Sequence, residues 1–306
     1  MALSPLTSSP LPIVHQTDTL WHYTNQESLS AIVSSAELWA TSPRHQNDQT
    51  EGIYAWQIVQ EVWNELRGEG LDKRGSELLD LAFSEDMGET VRRSVFTLSA
   101  SGSPNVAHLW KEYAAQGTGF ALGLDTRYFW APKYRLSQIL KENHFNHALP
   151  VWEGFFKVAY DPGEQRALAS HALRWLSEFW WRVGELHGMY DPWGLYLDNA
   201  RFIVRSLLLL MKDPRFAAEE EIRFIAGRPV RAEDIVIEHD DLAHLPLAAL
   251  PFLGNDSTLP GTPVPQVVYG VKADPCGVLQ LAGVMGLKPE NLIPASDATS
   301  IQQGAA

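Results

Sequence analysis

The chain has 306 residues, of which 45% are hydrophobic and 20% are charged, and it carries a formal net charge of −13. This length and composition indicate a globular protein with one large domain or two small ones. The negative charge argues against binding to bulk nucleic acid or to anionic membranes, because Lys and Arg hold both. The single cysteine, Cys276, excludes an internal disulfide and a multi-thiolate metal site, so we expect a reducing compartment, the cytoplasm.

The composition of the chain ends and the length of the apolar runs set the expected domain limits. Residues 1–19 are rich in Ser and Pro and lack Lys and Arg, which predicts a disordered leader and no secretory signal. The longest apolar run, Leu207–Met211, is far too short to cross a membrane. We predict a single α+β domain over 20–295, a helical insertion at about 163–212, a Pro-rich loop at about 229–265 and a disordered tail over 296–306.

The first strand is expected to end at His22 and Tyr23, directly before a helix. Thr24 and Glu27 have the spacing of a capping box, so the helix should begin at Thr24. Its apolar face would comprise Leu29, Ile32, Val33 and Ala36. Side chains at strand ends commonly face clefts, although a histidine satisfied within an aromatic core is the alternative for His22.

Periodicity and turn signals predict the remaining elements. Strands are expected at Leu38–Ala40, Arg93–Ser99, Phe120–Asp125, Phe155–Tyr160, Ile235–Ile237, Gln266–Tyr269 and Asn291–Pro294. Helices are expected around Ile53–Leu66, Leu78–Phe83, Val106–Ala115, Gln165–His187, Leu195–Met211 and Cys276–Met285. Asn47 and Asp48 fall in a polar loop, and Trp110 and Tyr113, three residues apart, should present two rings on one helix face.

The stretch Phe216–Phe224 predicts a strand with Glu219, Glu221 and Arg223 on one side. A period of 2 separates the two carboxylates by about 7 Å, close enough to share a site. A solvated edge strand protected by charges is the alternative. No metal site is expected, because His144 and His147 have no carboxylate or thiolate partner at ligand spacing.

These stretches together resemble a bacterial family, domain-of-unknown-function family 2971 (DUF2971), over about residues 20–295. The resemblance rests on His22-Tyr23-Thr24, Asn47-Asp48, Ser99 followed by Trp110 and Tyr113, Gly119–Asp125, Lys212 through Phe216 to Glu219-x-Glu221-x-Arg223, and Val268-Tyr269-Gly270-x-Lys272. That family has no settled activity to carry over to this chain.

More distantly, the chain resembles the ADP-ribosyltransferase superfamily. His22, Tyr113 and Glu221 match the His, Tyr and Glu of its diphtheria-toxin-like branch. Trp110 departs from that pattern, because the branch has a second Tyr there, and Glu219-x-Glu221 is more typical of the arginine-modifying branch. The resemblance implies an α+β fold in which helices surround a mixed, mostly antiparallel split sheet, with an NAD cleft between the sheet halves.

The same resemblance implies NAD-dependent ADP-ribosyl transfer or NAD glycohydrolysis, in a toxin, defence or regulatory setting, with an acceptor that the sequence does not identify. A carboxylate would stabilise the positive charge that develops on the ribose as nicotinamide leaves. The implied catalytic residues are Glu221, His22 and Tyr113; the implied NAD contacts are His22, Tyr23, Thr24, Ser99, Trp110 and Tyr113; the implied acceptor contacts are Glu219, Arg223, Asn47 and Asp48.

Two alternatives to this enzyme stay open at the level of the sequence. One is a non-catalytic nucleotide- or protein-binding module with the same fold. The other is a hydrolase that uses Asp125 and Glu221 as paired carboxylates, which only the residue types support.

Overall fold

The computed structural model describes residues 10–12, 19–43, 51–84, 95–132, 154–178, 192–227, 244–251 and 262–295. Its strands are β1 Thr19–Thr24, β2 Leu38–Thr41, β3 Val95–Ser101, β4 Phe120–Asp125, β5 Tyr128–Pro132, β6 Gly154–Lys157, β7 Glu221–Gly227, β8 His244–Pro251, β9 Gln266–Tyr269 and β10 Leu292–Pro294. Its α-helices are α1 Gln26–Ser35, α2 Glu51–Gly68, α3 Lys73–Phe83, α4 Ala107–Glu112, α5 Pro162–Glu178, α6 Pro192–Leu209 and α7 Pro275–Met285. Short 3₁₀ helices lie at Ala115–Gly117, Pro214–Glu219 and Pro289–Asn291.

The strands form one mixed sheet, in which β9 and β10 are parallel and the other paired strands are antiparallel. The main path runs β10-β9-β4-β1-β3-β2-β8-β5, and β7 joins β3 to β6. The α+β class and the mixed, largely antiparallel sheet surrounded by helices are thereby confirmed.

The sheet forks at β3. This strand pairs along its whole length with β7, so β1 and β2 must share its other edge. On that edge β1 pairs only at Trp21–Ser101, and β2 pairs only at Thr41–Thr97. One arm of the fork continues through β4, β9 and β10, and the other continues through β8 and β5. The backbone of Ser99 lies between the two pairing points.

The two faces of the sheet carry different layers. On one face, alternate apolar residues such as Phe96, Leu98 and Phe224 pack with Leu29 of α1 and Val278 of α7. On the other face, α2, α3, α5 and α6 form one core that also includes Ile225 of β7. The expected helical insertion is therefore part of this layer, since α5 and α6 pack against α2 and α3. Within the described residues, no helix is both long and apolar enough to cross a membrane.

The N-cap of the first helix lies one residue later than expected. Its N-cap is Asn25, whose side chain accepts a hydrogen bond from the Ser28 backbone N–H. Thr24 instead ends β1, where it pairs with Phe120. The capping box was the wrong interpretation because an Asn at the next position caps a helix as well as a Thr does.

Two other expectations about strands were wrong. The charged stretch before Glu221 is a 3₁₀ helix, because Pro214 fits its first turn and Asp213 caps it. The strand begins only at Glu221, and it is not an edge strand, since β7 lies between β3 and β6. The Pro-rich stretch also contains β8, which pairs with β2 and β5.

Smaller differences concern helix faces. Ile53, expected on the buried face of α2, is 56% exposed, whereas Val59, Trp63 and Leu66 are buried as expected. Several expectations concern residues outside the described ranges: Asn47, Asp48, His144, His147, the strand Ile235–Ile237, the last residues of the helix expected to end at His187, most of the leader, and the tail.

Candidate functional site

A small cleft, with a cavity volume of about 60 Å³, opens at the fork of the sheet. Its lining comprises His22, Tyr23, Ser99, Ala100, Leu109, Tyr113, Glu219 and Glu221. Six of these eight residues were expected site residues, and they come from four separate parts of the chain. The fold therefore brings together most of the expected set.

His22 fills the gap that the fork leaves beside β3. Its Nδ1 lies 2.8 Å from the carbonyl oxygen of Ser99. Because a carbonyl only accepts, Nδ1 must carry the proton and donate. Burial lowers the pKa of His22, although the bond to the Ser99 carbonyl opposes this, so the ring is neutral near pH 7. Its Nε2 is then a hydrogen-bond acceptor.

Glu221 forms the floor of the cleft, and its two carboxylate oxygens accept four hydrogen bonds. The Ser99 hydroxyl and Arg223 Nε donate to Oε1 over 2.5 and 2.8 Å. Lys212 Nζ and Arg223 Nη2 donate to Oε2 over 2.9 and 2.8 Å. Burial alone would raise the pKa of this carboxyl, but the charges of Arg223 and Lys212 and these hydrogen bonds lower it to about 2. Glu221 is thus ionised at all ordinary pH values.

Lys212 extends this arrangement to Glu219, because its Nζ also donates to Glu219 Oε2 over 2.6 Å. We call Lys212, Glu219, Glu221 and Arg223 the buried charge cluster; all four are at most 7% exposed. Two acids and two bases cancel in formal charge, which is how four ions tolerate removal from water.

Polar groups from the helical layer hold this cluster in place. Tyr160 accepts from the Glu221 backbone N–H over 3.1 Å, and Arg223 Nη1 donates to the Leu209 carbonyl over 2.7 Å. Gln165, which is fully buried, donates to the Lys212 carbonyl over 2.6 Å. The charged side chains are therefore fixed by their neighbours, as a preorganised site requires.

Tyr113 stands at the rim of the cleft and is 47% exposed. Burial and the nearby charges of Glu219 and Glu221 raise the pKa of Tyr113, so its hydroxyl remains a donor. Trp110 does not share this position. Its ring meets Tyr23 edge-on at 5.3 Å, and its Nε1 donates to the Pro104 carbonyl over 2.9 Å. Of the two rings expected on one face of α4, Tyr113, the C-cap of the helix, lines the cleft, and Trp110 is not part of its lining.

Left-handed backbone occurs on both sides of the cleft. Glu220, between the two cleft acids, has φ 46°, and Ala115 and Gln116, just after Tyr113, have φ 47° and 56°. Each such residue costs about 1 kcal/mol or more, and strain of this kind tends to collect at functional sites. Glu220 lies at the turn between the two residues whose carboxylates both accept hydrogen bonds from Lys212.

The other expected site residues lie elsewhere. Thr24 is buried at the end of β1, and Arg223 lies beneath Glu221, so neither lines the cleft. Asp125 stands opposite Thr19 at the far end of β4, and its carboxylate binds Arg127. The paired-carboxylate hydrolase therefore has no support from the geometry.

Sequence reasoning gave no role to two residues. Lys212 bridges both acids; in the sequence it only began one of the stretches on which the family resemblance rests, directly after the apolar run Leu207–Met211. His108 lies at the outer end of the cluster, with Nε2 3.8 Å from Glu219 Oε1. In the described part of the chain, no three His, Cys, Asp or Glu side chains are grouped closely enough to hold a metal ion.

The comparison with protein families finds a match to one part of the chain that builds this cleft. Residues 109–224 match the model described as "Protein of unknown function (DUF2971)". The predicted resemblance is thereby confirmed over that stretch. The DUF2971 match includes Tyr113 and the whole buried charge cluster, whereas His22 and Ser99 precede it. No curated protein and no solved structure is significantly similar to the chain.

Proposed function

We propose that the cleft binds NAD and that the protein cleaves its nicotinamide–ribose bond, transferring ADP-ribose to an acceptor or to water. One observation carries the proposal: residues expected for this chemistry, His22, Ser99, Tyr113 and Glu221, line one cleft although they are far apart in sequence. A shared lining of this kind is the usual first criterion for an active site.

The groups of the cleft suit a planar ring joined to a sugar. Tyr113 offers an exposed ring at the rim, on which nicotinamide can stack. His22 Nε2 is an acceptor for a ribose hydroxyl or for the carboxamide N–H of nicotinamide. Both contacts orient the bond to be broken without taking part in the transfer.

Glu221 would stabilise the positive charge that develops on the ribose as nicotinamide leaves. Its carboxylate already accepts four hydrogen bonds, so a ribose hydroxyl reaches Oε1 by displacing the Ser99 hydroxyl. Ser99 is exposed, and within the described part of the chain its hydroxyl makes this one hydrogen bond, so rotation of Ser99 is the smallest change that admits a ligand. Glu219, on the other side of Lys212, would then serve the acceptor.

A second candidate function, a non-catalytic nucleotide-binding module, is favoured by a different observation. The charges of Lys212 and Arg223 offset that of Glu221 within hydrogen-bond distance. Such pairing weakens the carboxylate's attraction for a positively charged ribose. This module would bind NAD in the same cleft and release no nicotinamide.

Nicotinamide release separates the two functions. The full chain is incubated with NAD, with and without cell lysate as a source of acceptors, and free nicotinamide is measured by chromatography. The enzyme predicts release above a protein-free blank, and Tyr113→Ala should reduce it about tenfold or more, whereas Glu112→Ala, an exposed neighbour, should not. Binding of NAD without release supports the module, and absence of both contradicts the two functions together.

A further inference from the structure

The second arm of the fork carries an exposed aromatic pair, Trp39 on β2 and His244 on β8. Trp39 is 51% exposed, although its neighbours Leu38 and Ala40 are buried in the core. Its ring lies 5.4 Å from the ring of His244 at an interplanar angle of 45°. Two rings tilted in this way do not cover each other, so a face of the indole remains open.

Register places this pair on the same sheet face as the cleft. Thr41 pairs with both His244 and Thr97, and paired residues point to the same side of a sheet. Trp39 and Ser99 each lie two residues from that pairing point and so share its face. The opposite face is the apolar one, where Leu38 and Ala40 join the core.

The same register limits the distance between the pair and the cleft. Because β2 and β3 are antiparallel, Trp39 and Ser99 both lie on the same side of the Thr41–Thr97 pair, about 7 Å along their strands. They would be direct neighbours if β2 stayed on β3, and they are separated only by the divergence of the fork. A ligand with its sugar at Ser99 can therefore extend across the fork onto Trp39.

We propose that Trp39 and His244 form a stacking subsite for the purine base of a dinucleotide whose other half lies in the cleft. This inference rests on the proposed function, because it takes the cleft to hold the nicotinamide ribose. An open indole face stacks on any nucleobase, and it does so without hydrogen-bond readout. The Thr41 hydroxyl lies 3.3 Å from His244 Nδ1 and helps to fix the orientation of that ring.

Calorimetry with the two halves of NAD tests the subsite on the full chain. AMP carries the purine, and nicotinamide mononucleotide carries the other half. Trp39→Ala should weaken AMP binding about tenfold, while Trp39→Phe, which keeps a ring, should weaken it less. Nicotinamide mononucleotide should bind all variants within about twofold of the wild type. Leu279→Ala, which removes another exposed apolar side chain, should change neither affinity.

Three results would overturn the subsite: no AMP binding by the wild type, an unchanged AMP affinity in Trp39→Ala, or equal losses for AMP and nicotinamide mononucleotide. His244→Ala gives a second route to the same answer and should weaken AMP binding by a smaller factor than Trp39→Ala. The proposed enzyme is tested separately, because selective loss of AMP binding can be observed even when no nicotinamide is released from NAD.

Discussion

The two faces of β3 and β7 are built from alternate residues of the same two strands, and they differ in what each residue requires. On one face, Phe96, Leu98, Phe224 and their apolar neighbours need only to be covered. On the other face, Ser99, Glu221 and Arg223 each need a particular partner at hydrogen-bond distance. The first face therefore tolerates many sequences, and the second tolerates few.

This difference indicates why the polar face is present. Replacing buried ion pairs by apolar residues of similar size is often neutral or stabilising in proteins. Stability alone thus gives no reason for the four buried charges on and beside β7. The reason we infer is the cleft, into which Glu219 and Glu221 project from this face.

The largest effect is expected from removing one partner on the polar face. Arg223→Met leaves the Glu221 carboxylate buried beside a single cation and should lower the free energy of unfolding by about 3–5 kcal/mol. Leu98→Met, a volume-conserving change on the apolar face, should cost less than about 1.5 kcal/mol. Urea denaturation measures both, and a smaller loss in Arg223→Met than in Leu98→Met would contradict the contrast between the faces.

Acid should selectively weaken the polar face. The pKa of Glu221 is lowered in the folded state, from its usual 4.5 to about 2, so its ionised form stabilises the fold above about pH 4.5. That contribution, on the order of 3 kcal/mol, should be lost as pH falls through this range towards 2. In Glu221→Gln the unfolding free energy should decline less over the same range, and an identical decline would show that Glu221 is not the group responsible.

His22→Ala should have a moderate effect that falls mainly on binding. Loss of the bond to the Ser99 carbonyl should cost about 1 kcal/mol of stability, and NAD should bind about tenfold more weakly. His22→Asn sharpens the test, because its amide can donate to the same carbonyl without replacing Nε2. His22→Asn should recover the stability of the wild type but not its affinity for NAD. A large fall in the melting temperature of His22→Ala, with unchanged affinity for NAD, would show that His22 is a core residue.

The smallest effect is expected at the turn between the two acids. Glu220→Gly relieves a left-handed backbone conformation and should raise the unfolding free energy by about 0.5–1 kcal/mol. Nicotinamide release, where present, should be unchanged, because Glu220 is exposed and is not part of the cleft lining. Thermal denaturation compares this variant with the wild type, and destabilisation would mean that Glu220 makes a contact which outweighs the strain.

The sequence predicted elements whose signal is local. The alternation in β3, the strand β4, the periodicity of α2 and the apolar run of α6 all appeared where expected, within a few residues at their ends, and α5 began within a few residues of its expected start. β8 was not predicted, because the Pro residues of this stretch indicated a loop. In the structure Pro246 and Pro251 lie within a strand that pairs on both sides.

The arrangement at the acids was predictable only in part. Residue types identified Glu219 and Glu221 correctly as neighbours in one site, but a strand with a period of 2 was the wrong reason. The position of Lys212, which reaches both carboxylates from just after α6, could not be predicted, and neither could the left-handed backbone of Glu220 between them. Contacts of this kind depend on tertiary packing, so the periodicity of the sequence does not predict them.

Nicotinamide release from NAD by Glu221→Gln, with Glu220→Gln as the matched control, decides whether this cleft cleaves NAD. Circular dichroism first fixes a temperature at which both variants are folded, because Glu221→Gln leaves Lys212 and Arg223 without a counter-charge. Glu221→Gln should abolish release, whereas Glu220→Gln should release nicotinamide at the wild-type rate. Wild-type release by Glu221→Gln would contradict the assignment of this cleft as an NAD-cleaving site.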